Sequence, residues 1–372
     1  MANNKKYIGE SEMITIKQFM KYATDTLKQS EIETPVLEAG VILCHVLNCD
    51  RSYLYAHDDR VLEESELERL EGLILQRSKK VPLQYLLGET EFMSLTFKVS
   101  PAVLIPRQDT ELLVEKCIEL IQAIKQGSLG NQNQEDNQNQ QGNQNQQGNQ
   151  NQQDNQNQQG NQNQQDSQSN QASQNSLKGT GVPREASSIS QTSDKASLPE
   201  IRVLDMCTGS GCIAVSIAHY CADTRVTACD VSRDALEIAK TNSRLAGVQD
   251  RLDFRQGDLF EALEGGEKFY IIASNPPYIE TSTVEQLQTE VKDHEPYIAL
   301  DGGTDGLNFY RRIVEAAPQF LAEGGFLVME IGYNQGFSVS RLMEQAFSAI
   351  TVLKDLGQND RVVLGRLKTK LQ

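Results

Sequence analysis

The alternation of short apolar runs with helical patterns after residue 200 limits the folds open to this chain most strongly. Strands that alternate with helices predict a parallel, doubly wound sheet. Two further runs near the C-terminus are joined only by a short turn, so they must pair antiparallel. The sequence therefore predicts an α/β domain with a mostly parallel seven-stranded sheet. The predicted strands are Ile201–Met206, Val226–Asp230, Leu252–Arg255, Phe269–Asn275, Phe326–Ile331, Thr351–Leu353 and Arg361–Leu364, and the predicted helices among them are Ile213–Cys221, Ser232–Ala246 and Leu307–Ala322.

A low-complexity segment precedes this domain. Residues 131–166 are six consecutive hexads such as NQNQQG, and the chain stays rich in Ser, Thr and Gln to Pro199. Such a segment has almost no apolar surface to offset backbone ordering, so we expect residues 127–199 to be a disordered insertion. A hexapeptide β-solenoid would need an aliphatic residue in each repeat, and none is present. Self-association through Asn/Gln ladders stays open.

Residues 1–84 predict a small bundle of amphipathic helices. Thr15 is a candidate N-cap, and Ser65 with Glu68 has the spacing of a capping box. The predicted apolar stripes are Phe19, Ala23 and Leu27, then Val36, Ala39, Leu43 and Val46, then Leu67, Leu70 and Ile74. Residues 85–107 predict a β-hairpin linker, because Phe92–Val103 is rich in β-branched and aromatic residues. Residues 108–126 and 200–372 then form the second domain, which begins with a helix over Asp109–Ile124.

Composition excludes several classes of protein. With 35 Lys and Arg against 51 Asp and Glu, the net charge is −16, which disfavours direct binding to nucleic acid. No run of ~18 apolar residues is present, and Met1–Glu10 lacks the apolar stretch of a signal peptide. Seven cysteines without a Cys-x-x-Cys pair indicate reduced thiols. The four histidines are not at metal-site spacing. We expect a cytoplasmic protein with no metal and no membrane partner.

The segment Asp205–Ala214, DMCTGSGCIA, follows the first predicted strand and opens a helix. Its glycines fit the pattern G-x-G-x-x-A, which permits a tight turn and a close approach of a ligand to the backbone. Asp230 ends the second strand, where a carboxylate can accept both hydroxyls of a ribose. A turn without any ligand is the alternative for the loop alone. The loop and Asp230 together favour a cofactor that contains a nucleoside.

Two further carboxylates bear on the choice between NAD and S-adenosylmethionine. Asp205, at the strand end, can approach the amino-acid part of S-adenosylmethionine. Asp258, after the third strand, can accept from an adenine amino group while Leu259 packs on the ring. An N-cap for a following helix is the alternative role of Asp258.

The tetrapeptide Asn275-Pro276-Pro277-Tyr278 follows the fourth strand. Two prolines fix the backbone and remove two N–H donors, so the loop presents carbonyls outward. The Asn275 side-chain oxygen and the Pro276 carbonyl can together accept both hydrogens of one NH₂ group, and Tyr278 offers a flat face for stacking. Two such acceptors favour attack by an amide nitrogen, because they stabilise its developing positive charge. A Pro-Pro turn without chemistry is the alternative.

At these residues the chain resembles a known family. DMCTGSGCIA, GDLF and NPPY are similar to class I S-adenosylmethionine-dependent methyltransferases that act on amino groups. The segment Pro82–Glu115, the motif EIGYNQG from Glu330 to Gly336 and the helical N-terminal domain resemble the PrmC/HemK family. The likeness covers the chain except residues 127–199. Cys207 stands where the family usually has glycine, and Gln108 where it has a second proline.

The resemblance implies a Rossmann-like class I methyltransferase domain with a helical N-terminal domain and S-adenosylmethionine as cofactor. It implies N5-methylation of the glutamine in the Gly-Gly-Gln motif of class 1 peptide chain release factors, in translation termination. The implied cofactor-binding residues are Asp205, Cys207, Thr208, Gly209, Ser210, Gly211, Asp230, Asp258, Leu259 and Asn275. The implied substrate-binding residues are Asn275, Pro276, Pro277 and Tyr278, with Asn275, Pro276 and Tyr278 as the catalytic ones. Methylation of adenine or guanine in nucleic acid and a non-catalytic cofactor sensor are the alternatives, and Arg107 can serve a ligand carboxylate or a surface ion pair.

Overall fold

The computed structural model describes residues 13–127 and 200–369. Apart from Gly127, the predicted disordered insertion lies outside these residues. The described residues up to Ile124 and from Glu200 onward form one compact unit. Among the described residues, no helix is both long enough and apolar enough to cross a membrane.

A helical bundle forms the N-terminal part of the unit. Thr15 caps its first helix as predicted: the Gln18 amide donates to Thr15 Oγ1 at 3.3 Å, and the Thr15 amide donates to Gln18 Oε1 at 2.8 Å. Phe19, Ala23 and Leu27 are fully buried in the bundle core. The predicted boundary at residue 84 falls within the last short helix and stays a prediction. The helices are α1 (Ile16–Gln29), α2 (Pro35–Leu47), α3 (Arg51–Ala56), α4 (Glu64–Ser78) and α5 (Leu83–Leu87).

Two details of the predicted bundle are wrong. Val36 is 54% exposed, because it lies in the first turn of α2 on the solvent side. The capping box of α4 uses Glu63 and Glu66 in place of Ser65 and Glu68, and the Glu63 amide donates to Glu66 Oε2 at 2.9 Å. A carboxylate accepts such a bond as well as a hydroxyl does, so the helix begins at Glu64, before the predicted serine.

The predicted hairpin is present, but it begins and ends earlier than the predicted span Phe92–Val103. Strand β1 (Glu89–Phe92) pairs antiparallel with β2 (Leu95–Lys98). Met93 and Ser94 form the turn, with φ of 50° and 56°. Positive φ at both central residues is typical of a type I′ hairpin turn, and composition did not reveal it because neither residue is Gly or Asn. Helix α6 (Glu111–Lys125) follows a 3₁₀ turn over Gln108–Thr110.

The predicted seven-stranded sheet is confirmed. Its strand order is β5-β4-β3-β6-β7-β9-β8, and β9 pairs antiparallel with both β7 and β8 while the other pairs are parallel. The strands are β3 (Ile201–Met206), β4 (Thr224–Asp230), β5 (Leu252–Gln256), β6 (Phe269–Ser274), β7 (Leu321–Glu330), β8 (Phe347–Lys354) and β9 (Asp360–Leu367). The helices of this region are α7 (Cys212–Tyr220), α8 (Arg233–Leu245), α9 (Thr281–Val284), α10 (Thr289–Lys292), α11 (Asn308–Phe320) and α12 (Gly336–Met343).

The strand order reverses between β3 and β6, and this reversal places the candidate site. From β3 the chain moves outward to β4 and β5, then returns to β6 on the other side of β3. Ligands of open α/β sheets bind outside the carboxyl ends of the strands at such a point. The glycine loop follows β3, Asp230 ends β4, and the Asn-Pro-Pro-Tyr loop follows β6. The topology thus brings the three predicted elements to one edge.

Candidate active site

A cavity of about 230 Å³ opens at the carboxyl ends of β3, β4 and β6. Most of the predicted site residues line it. These are Cys207, Thr208, Gly209, Ser210, Asp230, Asp258, Leu259, Asn275 and Pro277. Four of the predicted residues are not on its wall: Asp205, Gly211, Pro276 and Tyr278.

The glycine loop turns sharply after β3. Cys207 has a φ of 62° and Gly209 a φ of 53°, both in the left-handed region. At Cys207, a side chain in this region costs about 1–2 kcal/mol. A Cβ on Gly209 would meet no protein atom within 4 Å, so this backbone is open to a ligand in the cavity. Gly211 instead packs on α8, where a Cβ would lie 2.9 Å from the Ala239 Cβ.

Asp230 connects the ends of β3 and β4. Its Oδ2 accepts from the Gly209 amide at 2.8 Å, and its Oδ1 accepts from the Ser232 amide at 2.9 Å. Burial raises the pKa of this carboxyl, and the backbone amides oppose that rise. Each carboxylate oxygen keeps a lone pair beyond these bonds, so Asp230 can still accept from two hydroxyl groups on the cavity side.

Asp258 and Leu259 form the neighbouring wall after β5. Asp258 precedes a 3₁₀ turn over Leu259–Ala262 but makes no side-chain cap, so the capping alternative is not supported. Its Oδ2 lies 2.8 Å from Arg312 Nη2. Leu259 is buried, with a φ of 52°. The wall therefore offers an acceptor beside an apolar surface, which suits the polar edge and the flat face of an adenine ring.

The loop after β6 brings Asn275 to the cavity from the other side. Asn275 Nδ2 donates to Thr110 Oγ1 at 3.3 Å, and within the described residues this is the only hydrogen bond of its side chain. Pro277 lines the same wall. Tyr278 turns away: its hydroxyl donates to Glu330 Oε1 at 3.4 Å, its ring packs against the core, and burial raises its pKa. The expectation that Tyr278 stacks on a ligand is therefore not met by this placement.

Comparisons with known proteins agree with this geometry. The family model of the PrmC N-terminal domain matches residues 18–88, and that of the methyltransferase small domain matches residues 189–292. A release factor glutamine methyltransferase of Clostridium acetobutylicum is 33% identical over 94% of this chain and 97% of its own length. The chain belongs to the release factor glutamine methyltransferase family. The enzyme of that name from Geobacter sulfurreducens is 33% identical over 96% of this chain and 98% of its own length.

A relative of a different size carries the same region. A bifunctional methyltransferase of Rickettsia felis is 33% identical over 94% of this chain, which spans 58% of that longer protein. Like the family, the chain is a class I, S-adenosylmethionine-dependent methyltransferase. The residues on the cavity wall fit this cofactor, because Asp230 can accept from a ribose, Asp258 and Leu259 suit adenine, and Gly209 leaves its backbone open.

In this family member Asp205 does not reach the cavity, contrary to the expectation that it approaches the cofactor. It is fully buried, and its Oδ2 accepts from Thr208 Oγ1 at 2.6 Å and from the Ala214 amide at 3.0 Å. Burial raises the pKa of this carboxyl to about 7, and the charge of Asp230 adds to the rise. Asp205 therefore stabilises the glycine loop through its hydrogen bonds to Thr208 and Ala214.

Arg107 contacts a partner that sequence reasoning missed. Its guanidinium donates to Glu295 Oε1, whose side chain is 2% exposed. Arg107, Pro296 and Ile298 line the cavity, so this ion pair connects two segments of its wall. Of the two predicted roles of Arg107, the ion pair within the protein is therefore the one that the structure shows. Its partner Glu295 is buried, and burial raises the pKa of the Glu295 carboxyl.

The glycines of Asp301–Gly306 support the Asn-Pro-Pro-Tyr loop and were also missed. A Cβ on Gly302 would lie 2.7 Å from the Tyr278 Cα, and one on Gly306 would lie 2.4 Å from the Tyr278 carbonyl oxygen. Gln335 completes the support: its Nε2 donates to the Tyr278 carbonyl at 3.0 Å. The sequence signal was available in the motif Asp-Gly-Gly-Thr-Asp-Gly, whose glycines allow another backbone to approach closely.

Asn242 connects the hairpin to the glycine loop. The buried side chain accepts from the Lys98 amide at 2.7 Å and donates to the Lys98 carbonyl at 3.0 Å and the Ser210 carbonyl at 2.8 Å. No spacing in the sequence indicates this contact, because Asn242 lies 144 residues from its hairpin partner.

Proposed function

We propose that this chain transfers a methyl group from S-adenosylmethionine to the side-chain nitrogen of a glutamine in a peptide chain release factor. The proposed target is the glutamine of the Gly-Gly-Gln motif in class 1 factors, and the proposed location is the cytoplasm. The carrying observation is the side chain of Asn275, which lies on the cavity wall with its Nδ2 occupied by Thr110. Its Oδ1 is thereby left to accept from a substrate. The names of the relatives support the choice of substrate.

Hydrogen-bond acceptors on the Asn-Pro-Pro-Tyr loop would compensate for the low nucleophilicity of the substrate nitrogen. An amide nitrogen is a poor nucleophile because its lone pair is delocalised into the carbonyl group. Asn275 Oδ1, on the cavity wall, would accept one N–H group of the substrate and help to orient the lone pair towards the donor. Pro276, whose carbonyl was expected to accept the other N–H group, does not line the cavity. Such acceptors stabilise the positive charge that develops on nitrogen during attack. The proton can leave after attack, so this arrangement needs no general base beforehand.

The opposite wall would hold the methyl donor. When bound, S-adenosylmethionine supplies a methyl group activated by a sulfonium sulfur. Asp230 would accept from its ribose hydroxyls, Asp258 and Leu259 would hold its adenine, and residues 207–211 would surround its methionine part. Most of these residues and Asn275 lie on the wall of one cavity, which supports a transfer between two ligands bound side by side.

A direct assay tests the proposal. Purified enzyme is incubated with the methyl donor and a class 1 release factor, and the tryptic peptides are examined by mass spectrometry. We expect one added methyl group on the Gly-Gly-Gln glutamine. The Asn275→Ala variant should lower kcat by about 10²-fold or more while the donor Kd stays within about twofold, as for loss of a transition-state hydrogen bond.

Two outcomes would overturn the proposal. Methyl transfer to DNA or RNA with none to the release factor would favour the nucleic-acid alternative. Near-normal turnover by Asn275→Ala would refute the proposed amide clamp. A release factor in which the target glutamine is replaced by alanine is the matched substrate control, and it should accept no methyl group.

A further inference from the structure

An excursion of the chain, residues 280–300, follows directly after the Asn-Pro-Pro-Tyr loop. Its two ends meet beside that loop, because the Ile279 amide donates to the Leu300 carbonyl at 3.0 Å. The excursion contains α9, α10 and a 3₁₀ turn. The residues near its end that line the cavity are Pro296, Ile298 and Ala299. The position of the excursion therefore affects the shape of the cavity.

A buried arginine of the N-terminal bundle contacts the excursion. The side chain of Arg77 on α4 is 4% exposed, and its Nη2 donates to Oε1 of Glu290 at 2.7 Å. Glu290 lies on α10, which places it within the excursion. Burial of a charged group costs desolvation free energy, and only well-oriented partners offset that cost. The partners of Arg77 therefore show what its charge is used for.

Contacts within the bundle fix the direction in which Arg77 donates. Its Nε donates to Oε2 of Glu38, and its Nη2 donates to Oε1 of the same carboxylate at 3.2 Å, so the pair is bidentate. Its Nη1 donates to the Val81 carbonyl at 3.2 Å. A guanidinium group is planar and rigid, so these bonds also orient the second N–H of Nη2. Glu290 accepts from that N–H.

A second arginine contacts the excursion next to the cavity. Arg107 Nη2 donates to Oε1 of Glu295. The Glu295 amide donates to the Val291 carbonyl at 3.0 Å, which extends the helical turn of α10 up to Pro296 on the cavity wall. Glu290 and Glu295 thus belong to one helical stretch, and each of them accepts from an arginine that precedes the sheet in sequence.

The helical stretch borders the Asn275 side of the cavity. The Thr110 amide donates to the Arg107 carbonyl at 3.1 Å, and Asn275 Nδ2 donates to the Thr110 hydroxyl. Arg107 and Asn275 both line the cavity. A shift of the excursion should therefore disturb the proposed site of the substrate amide more than the proposed site of the methyl donor.

We propose that Arg77 is a positioning residue: through Glu290 it holds the excursion, and with it one wall of the cavity, in place beside Asn275. The catalytic consequence of this inference rests on the proposed function. The N-terminal bundle thereby contributes to the geometry of the active site, although none of its described residues lines the cavity.

Glu290→Ala is the variant that tests the proposal. A substitution of Arg77 itself would leave the buried Glu38 without its partner and destabilise the bundle. Glu290 is 34% exposed, and its loss leaves Arg77 with Glu38 and Val81. We expect kcat/KM for the release factor to fall about 10-fold, because small displacements near a catalytic group lower the rate on this scale. The donor Kd should stay within about twofold of the wild type.

Arg60→Ala is the matched control. Arg60 Nη2 donates to Oε1 of Glu66 at 2.8 Å, the Arg60 side chain is 31% exposed, and both residues lie in the bundle. Loss of this pair should lower the melting temperature slightly and leave kcat/KM within about twofold of the wild type. Glu290→Ala should instead lose kcat/KM with little change in melting temperature. Activity that falls only in proportion to melting temperature in both variants would reduce the Arg77 contact to a structural one and overturn the proposal.

Hydrogen exchange tests the position of the excursion without turnover. Amide exchange is followed by mass spectrometry on peptides that cover residues 285–298. Glu290→Ala should speed exchange in these peptides several-fold and leave those of α1 and α2 unchanged, while Arg60→Ala should leave residues 285–298 unchanged. Wild-type exchange of the excursion in Glu290→Ala would refute the proposal. A wild-type enzyme that methylates no release factor would refute the proposed function, and the exchange rates would still decide whether Arg77 holds the excursion.

Discussion

Replacement of Gly302 by alanine should disturb the Asn-Pro-Pro-Tyr loop without touching the cavity. A Cβ at this position would lie 2.7 Å from both the Cα and the carbonyl carbon of Tyr278 and 2.9 Å from the Pro277 carbonyl oxygen. All three are backbone atoms, so no side-chain rotation relieves the overlap. The Gly302 amide also donates to the Ile279 carbonyl at 2.7 Å, which holds the two segments together.

The size of the effect follows from the displacement required. An ordinary contact starts at about 3.4 Å, so the loop must shift by roughly 0.7 Å. A displacement near 1 Å in a catalytic group can lower the rate about 10²-fold. We therefore expect Gly302→Ala to lower kcat by about 10- to 100-fold. Overpacking of this kind costs about 1–3 kcal/mol of folding free energy, so the variant should still fold.

The assay compares kcat, donor Kd and melting temperature with those of a control variant. Gly72→Ala is the matched control, because a Cβ there would meet nothing within 4 Å and the residue lies inside α4. It should stabilise the protein by about 0.5–1 kcal/mol and leave kcat unchanged. Donor affinity should be unaltered in both variants. A Gly302→Ala enzyme with wild-type kcat would refute the argument that this backbone contact positions the loop.

Two further predictions concern buried and wall carboxyls. The pKa values of Asp205 and Glu330 are raised to about 7 by burial, so the folded state holds protons that the unfolded chain releases at lower pH. Their contribution to stability is complete below the unfolded pKa and is lost as pH rises through about 7. The melting temperature should therefore fall between pH 5 and 8, and it should fall less in Glu330→Gln. Parallel curves of melting temperature against pH for the two proteins would contradict this assignment. Asp230→Asn should weaken donor binding roughly 10- to 100-fold by calorimetry, since a hydrogen bond to a charged group contributes about 1.5–3 kcal/mol, and an unchanged Kd would remove Asp230 from the donor site.

Periodicity predicted the sheet well because each central strand is buried on both faces. Ile201–Met206 was predicted with its observed bounds, and the antiparallel pair at the C-terminus followed from the short turn between its strands. The start of β7 was missed by five residues. Leu321 and Ala322 were predicted as the end of a helix, and the next three residues are Glu and two glycines. The pairing of Leu321 with Phe269 of β6 shows that the strand begins there.

The cavity was predictable to the extent that its residues follow strand ends. Asp230 and Asn275 were located correctly because parallel strands bring their carboxyl ends to one edge. Tyr278 was misplaced because its position depends on Gly302 and Gly306, which let the loop fold against the core. Asn275 and Thr110 lie 165 positions apart, and no local pattern could show that they meet.

Asn242 makes the cofactor loop and the hairpin mutually dependent. One amide side chain holds Lys98 of β2 and Ser210 of the loop, so ordering either partner favours the order of the other. Thermodynamic linkage is reciprocal. If the bound methyl donor raises the affinity of the ordered hairpin for a partner protein, that partner must raise the affinity for the donor by the same factor. Binding of a partner protein at the hairpin and binding of the methyl donor would then be coupled through one conformational equilibrium.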